Sequence, residues 1–222
     1  MSAIVIGSTG ATGREVVKQL ASSDHFETVF AISRREFDYK PENGAAKIKQ
    51  LIVKDITSLD QDVKADHAFY CFGTTRGQAG SGEAFEKLEL STAENFIKLM
   101  AKSGVKHVGV VSSTGANESS FFLYPQVKGK IERMFREAAI ENNMKLRIYR
   151  PGYLECKREN PRFAETLFAW VTPIGNWFCP QTFSIKTSDL AKAMVIDATS
   201  QKEEEQVIIR GNKAALQTLQ GN

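Results

Sequence analysis

The chain has 222 residues, 42% of them apolar, enough to bury one sizeable core but too few for two full domains. Its 29 basic and 26 acidic residues are scattered and leave a net charge of +3, so no basic block offers a nucleic-acid groove, and the balance points to a small ligand. No uninterrupted apolar run comes near the roughly 20 residues of a membrane-crossing helix, and three widely spaced cysteines (Cys71, Cys156, Cys179) argue for a reducing compartment, with a cytoplasmic location expected.

In chain order, Ala3 to Ile6 reads as a strand that opens without the basic flank and cleavage site of a secretory leader, and a helix is expected from about Thr12 to Ser22. Strands follow at Thr28 to Ile32, Ile48 to Val53 and Ala68 to Phe72. A longer helix from about Glu83 to Lys102 then precedes a strand at Val105 to Val111. Between Tyr124 and Glu141 the apolar positions Val127, Ile131, Met134, Phe135 and Ala138 recur at helical spacing, and Lys145 to Tyr149 is the next strand. The rhythm loosens after Arg150, where Pro161, Pro173 and Pro180 are interleaved with Phe163, Phe168, Trp170, Trp177 and Phe178, as a substrate-side lobe would read. Ser188 and Asp189 offer an N-cap for a helix over Leu190 to Ala198, and Val207 to Ile209 can form a last strand. Short apolar strands alternating with amphipathic helices predict an α/β fold, a Rossmann-type doubly wound parallel sheet. The organisation expected is a single domain, with a core over about residues 1–150 and a smaller C-terminal lobe over about 151–222. His25, His67 and His107 are isolated from one another and from the cysteines, so no metal site is expected.

Between the first strand and the first helix runs Gly7-Ser8-Thr9-Gly10-Ala11-Thr12-Gly13. Gly7 permits the turn out of the strand, Gly10 allows close approach of backbone to a pyrophosphate, and Gly13 allows the helix to pack on the sheet, with the diphosphate at the positive helix end. A tight turn made by three glycines is the alternative, and the strand-turn-helix setting favours the dinucleotide loop. About 20 residues beyond this loop the second strand ends in Ser33-Arg34-Arg35. An acid at that place would read the ribose of NAD. Arginines suit a 2′-phosphate instead, so NADP(H) is the expected cofactor. Asp55 and Ile56, after the third strand, are placed to flank the adenine, although an aspartate that caps its own turn explains Asp55 nearly as well. Gly73 and Thr74 leave the fourth strand where a ribose would pass, and Pro151 and Gly152 leave the sixth strand beside the nicotinamide.

Ser112 and Ser113 end the fifth strand, and Tyr124 and Lys128 open the next helix four residues apart, hence on one face. An ammonium about 4 Å from a phenol contributes up to about 4 kcal/mol at an effective dielectric of 20, which favours the phenolate. Tyr124 is therefore read as acid/base, Lys128 as its tuner and ribose anchor, and either serine as the hydrogen-bond donor to a substrate oxygen. Tyr153 and Lys157 share the spacing, but no helix is expected there to place them on one face.

The stretches GSTGATGR, ISRR, CFGTTRGQAG, VSSTGANESSFFLYPQVKGKIE and YRPGYLEC resemble the Tat-interacting-protein family of atypical short-chain dehydrogenases over most of positions 4–156. The resemblance implies that Thr9, Gly10, Ala11, Thr12, Arg34, Arg35, Gly73, Thr74, Tyr124, Lys128, Leu154 and, at a looser match, Arg162 line an NADP(H) site. It also implies a protein partner, a presence in the nucleus, and a role in nuclear transport, transcription or growth. Two principal readings follow. One is an oxidoreductase acting on a small carbonyl or alcohol; the other is a binding protein gated by NADPH with little turnover. A dehydratase or epimerase is a third, weaker reading, since the short lobe leaves little room for a nucleotide sugar.

Overall fold

The computed structural model describes residues 1–155, 184–200 and 205–220. Seven parallel strands form one sheet in the order β3-β2-β1-β4-β5-β6-β9. They are β1 (Ser2–Ile6), β2 (Thr28–Ser33), β3 (Ile48–Ile52), β4 (His67–Tyr70), β5 (His107–Val111), β6 (Lys145–Arg150) and β9 (Val207–Gly211). A separate parallel pair joins β7 (Tyr153–Glu155) to β8 (Ser184–Lys186). The helices are α1 (Ala11–Ser22), the one-turn α2 (Arg76–Ala79), α3 (Gly82–Ser103), α4 (Leu123–Glu141), α5 (Thr187–Thr199) and α6 (Asn212–Thr218).

The two-residue period of a strand decides which side chain goes where. Ile4 and Ile6 of β1 join one buried cluster with Phe85 and Phe96 of α3 and Val127, Ile131 and Phe135 of α4. Ala3 and Val5 point the other way and join Val16, Val17 and Leu20 of α1, Ala191 and Met194 of α5 and Ala215 of α6. The sheet is thus covered on both faces, as the near-continuous apolar strands require. Strand order reverses on either side of β1, and the carboxyl ends of β1 and β4 open the crevice where such sheets bind ligands.

Boundaries moved where backbone crowding or capping decides them. β4 stops at Tyr70 and does not run on to Phe72, because the chain leaves the sheet beside the first glycine loop. β5 starts at His107 because Gly104, in the left-handed region, ends α3 and lets the Val105 amide donate to the Met100 carbonyl. α5 starts at Thr187 with Lys186 at its N-cap, so Ser188 and Asp189 lie in the first turn; Asp189 there still complements the helix dipole.

At the amino ends of β4 and β5 the His67 and His107 rings stack, centroids 4.8 Å apart, with Phe26 edge-on to His67. Burial first, and the neighbouring His107 second, pull the His67 imidazole down to about 4. As pH falls from about 6.5 towards 4, an unfolded chain takes up a proton that the folded one refuses, so stability present above pH 6.5 is lost across that window. Between pH 7.5 and 5 the expected loss is about 2 kcal/mol. Urea unfolding at the two pH values checks it: His67→Gln should lose distinctly less than the parent, and equal losses would clear His67 of the effect.

Candidate dinucleotide and catalytic site

The first loop has the geometry of a phosphate cradle. Gly7 has φ +70°, and a Cβ there would lie 2.5 Å from the Cys71 carbonyl oxygen. A Cβ on Gly13 would lie 2.2 Å from the Gly7 carbonyl oxygen, so α1 can approach β1 only through a glycine. Gly10 is the N-cap of α1 and supplies no side-chain cap, while Gly10 and Ala11 are exposed and Thr9 is half-buried. The first amides of α1 therefore face outward at the positive helix end. Ser8 and Thr12 depart from the expected loop surface. Ser8 is fully buried, donates to the Ile32 carbonyl at 2.7 Å and accepts from the Tyr39 hydroxyl at 2.9 Å; Thr12 is also buried. The Ser8 hydroxyl ties the loop to the end of β2 and has no reach toward a ligand.

At that strand end the Ser33 hydroxyl donates to the Arg35 carbonyl at 2.6 Å and fixes the turn. Arg34 and Arg35 are exposed and make no ion pair among the described residues. The adenine-side reading of Asp55 and Ile56 fares worse. The Asp55 carboxylate accepts from the Thr57 amide (2.9 Å) and hydroxyl (2.7 Å), which hold it below the usual carboxylate range, and Ile56 is buried in the core. Asp55 caps its own turn.

Lys128 and Tyr124 come together as the i, i+4 spacing requires, with Lys128 Nζ 5.8 Å from the Tyr124 ring centroid. Tyr124 is half-buried and stacks on Phe85. Lys128 is buried, and its ammonium lies close to the Gly73 loop, 3.6 Å from where a Cβ on that glycine would sit. Sequence reasoning missed its partner, Glu89 of α3, wholly buried, whose Oε2 accepts from Lys128 Nζ at 2.7 Å. The other oxygen accepts from the Thr74 amide at 2.6 Å, and the Thr74 hydroxyl donates to Gln78. Burial alone would depress the Lys128 ammonium; Glu89, then Tyr124, outweigh it and push it above the ordinary lysine value. One carboxylate thus joins the loop after β4 to the Tyr124-Lys128 face.

The two serines separate. The Ser112 hydroxyl donates to Glu132 Oε1 at 2.6 Å, and Glu132 is clamped by Arg150 through two contacts of 2.8 and 2.6 Å and by Arg136 at 3.2 Å. Ser112 belongs to that buried network and is not free to hold a substrate oxygen. Ser113 Oγ is buried and unpaired among the described residues. The loops after β5 and β6 are sewn together beside it: the Thr114 amide donates to the Pro151 carbonyl at 2.9 Å and its hydroxyl to the Arg150 carbonyl at 3.1 Å. α4 packs against the same loop through Gly129, where a Cβ would lie 2.1 Å from the Glu118 amide nitrogen. Leu154 sits on β7, half-buried against the α1/α5 side of the core. Arg162, Lys157 and the aromatics from Phe163 to Phe178 lie outside the described residues.

A doubly wound parallel sheet with a glycine-built cradle at its reversal point defines a dinucleotide-binding protein on the short-chain dehydrogenase plan. A family model described as NAD(P)H-binding matches residues 7–160, and the chain belongs to that family, in the group that holds HTATIP2 and FMP52. HTATIP2 of Rattus norvegicus is 34% identical over 170 residues, 75% of this chain and 68% of its own length. The proteins named "FMP52, mitochondrial" of Candida albicans and Debaryomyces hansenii are 31% and 34% identical over 205 and 203 residues, in each case 88% of this chain and 86% of the relative. Among solved structures, MoeE5 in complex with UDP-glucuronic acid and NAD superposes with a TM-score of 0.72 over 95% of this chain and 76% of its own, at 18% identity. At that identity the likeness is one of fold.

The mitochondrial names of the fungal relatives overturn the cytoplasmic expectation. The reason is physical: a few widely spaced cysteines distinguish a reducing from an oxidising compartment and do not tell one reducing compartment from another.

Proposed function

We propose that the protein is an NADP(H)-dependent reductase of a small carbonyl compound, working in the mitochondrion as the names of its relatives suggest. The observation that carries this reading is the buried Lys128 ammonium, poised between Tyr124 and the Gly73 loop, with the unpaired Ser113 hydroxyl on the neighbouring strand end. The exposed start of α1, Gly10 and the glycine-built cradle fit a dinucleotide diphosphate. When bound, the reduced nicotinamide supplies a hydride. Lys128 spends one N–H on Glu89 and keeps two for ribose hydroxyls. Ser113 donates to the substrate oxygen, and Tyr124 gives that oxygen its proton. Fluorescence titration with NADPH, followed by a panel of small aldehydes and ketones monitored by NADPH oxidation, tests the reading. NADPH binding without oxidation of any member would favour the cofactor-gated binding protein.

NADP(H) is preferred to NAD(H) in this reading because Arg34 and Arg35 stand unpaired at the end of β2. A hydrogen bond to a charged group contributes about 1.5–3 kcal/mol, so Arg34→Ala should weaken NADPH roughly 10- to 150-fold and leave NADH nearly unchanged. Titration of both cofactors reads this directly. Equal weakening of the two would remove the argument for the 2′-phosphate.

A further inference from the structure

The turn that carries Arg34 and Arg35 is fastened at both ends. At the near end β2 is still in the sheet: the Ser33 carbonyl accepts from the Val53 amide at 2.9 Å, and the Ser33 hydroxyl donates to the Arg35 carbonyl at 2.6 Å. At the far end the chain meets Gln50 of β3. The side-chain oxygen of Gln50 accepts from the Phe37 amide and its NH₂ group donates to the Phe37 carbonyl, both at 2.9 Å. A side-chain amide has the donor and acceptor of a peptide group, so Gln50 pairs with Phe37 as a neighbouring strand would. Arg34, Arg35 and Glu36 are the span between the two fastenings, and all three are exposed.

Register explains why Gln50 can do this. Gln50 lies opposite Ala31 in the parallel pair of β2 and β3, and Ile48, two residues earlier and so on the same face, packs on the α1 side of the core with Ala31, Phe37 and Tyr39. Phe37 and Tyr39 return over that face with ring centroids 5.1 Å apart, and the Tyr39 hydroxyl donates to Ser8 at 2.9 Å. Apolar contact holds the returning chain against the sheet but is non-directional. The paired hydrogen bonds from Gln50 fix where along the sheet Phe37 lies, and with it the course of the three residues before it.

We propose that Gln50 is a positioning residue for recognition of the 2′-phosphate, holding the arginine turn in its binding form before the cofactor arrives and so setting how strongly NADP(H) is preferred to NAD(H). The proposal rests on the NADP(H) reading above. Gripping a phosphate costs an exposed loop backbone freedom as well as arginine rotamers, and a span fixed at both ends has lost much of the backbone freedom already. NADH has no 2′-phosphate and gains nothing from that order. Gln50 therefore acts through Arg34 and Arg35.

Fluorescence titration with NADPH and NADH tests this and needs no substrate. Gln50→Met keeps the length of the side chain and removes both hydrogen bonds, and because Gln50 is exposed the variant is expected to fold. If about a third to a tenth of the unliganded molecules then hold the turn, NADPH weakens about 3- to 10-fold, while NADH stays within about twofold. In an Arg34→Ala/Arg35→Ala background the same substitution should change neither affinity, since the groups it acts through are gone. A brace that served stability alone would lower Tm and shift both cofactors together, with or without the arginines. Equal weakening of the two cofactors, an unchanged NADPH affinity, or the same loss in the double-alanine background overturns the proposal. A parent protein that binds both cofactors equally defeats the NADP(H) reading and the proposal with it, whereas a parent that prefers NADPH and a Gln50→Met variant with the same preference defeat only the role of Gln50.

Discussion

Lys128→Met is expected to destabilise the folded protein by about 3–5 kcal/mol at neutral pH, a larger loss than a typical core substitution, because it strands Glu89 as a wholly buried charge. Methionine fills much the same volume, so packing accounts for little of the loss. The pH dependence identifies the cause. In the variant, burial with no cation raises the folded-state carboxyl above its unfolded value near 4.3, so the penalty is full above that raised value and shrinks as pH falls toward 4.3 and below, where both states bind the proton. Urea unfolding of parent and variant at a series of pH values from 8 to about 4.5 reads the difference. A penalty independent of pH would show that Lys128 serves packing, and that the pair with Glu89 contributes little.

How far the site was legible in the sequence follows from which interactions are local. Tyr124 and Lys128 are one helical turn apart, and the glycine loop is a contiguous run between a strand and a helix; both announce themselves in short windows. The parallel sheet was legible for the same reason, since Ala3 and Val5 against Ile4 and Ile6 already state that both faces of β1 are covered. Glu89 is 39 residues from Lys128, and no local window contains the pair. A signal was nevertheless present: an acid on the apolar stripe between Phe85, Ala93 and Phe96 has to find a cation. Glu132 carries the same signal beside Ile131, and its partners Arg150 and Ser112 come from two different strand ends. The side chains of Ser8 and Asp55 were hidden for the opposite reason. Each lies in a segment that lines a ligand in outline, yet a short side chain with a nearer hydrogen-bond partner turns to that partner, Ile32 in one case and Thr57 in the other.

Tyr124→Phe is expected to leave folding and NADPH affinity nearly intact and to lower turnover by about 10²- to 10⁴-fold, the range for loss of a general acid. The substitution deletes one hydroxyl and keeps the ring that stacks on Phe85 and lies beside Lys128. No protein hydrogen bond of the Tyr124 hydroxyl is lost with it among the described residues, so neither α4 nor the Lys128 ammonium has reason to move. Ser113→Ala should behave as a milder relative, because Ser113 shares the substrate oxygen with the tyrosine and its own hydroxyl has no structural partner to strand. Steady-state rates with any carbonyl that supports NADPH oxidation, and cofactor titration in parallel, separate the two effects. A Tyr124→Phe protein that turns over as fast as the parent would remove Tyr124 as the acid. One that loses NADPH affinity in step with rate would assign the hydroxyl to holding the cofactor, and the proton would then have to come from elsewhere.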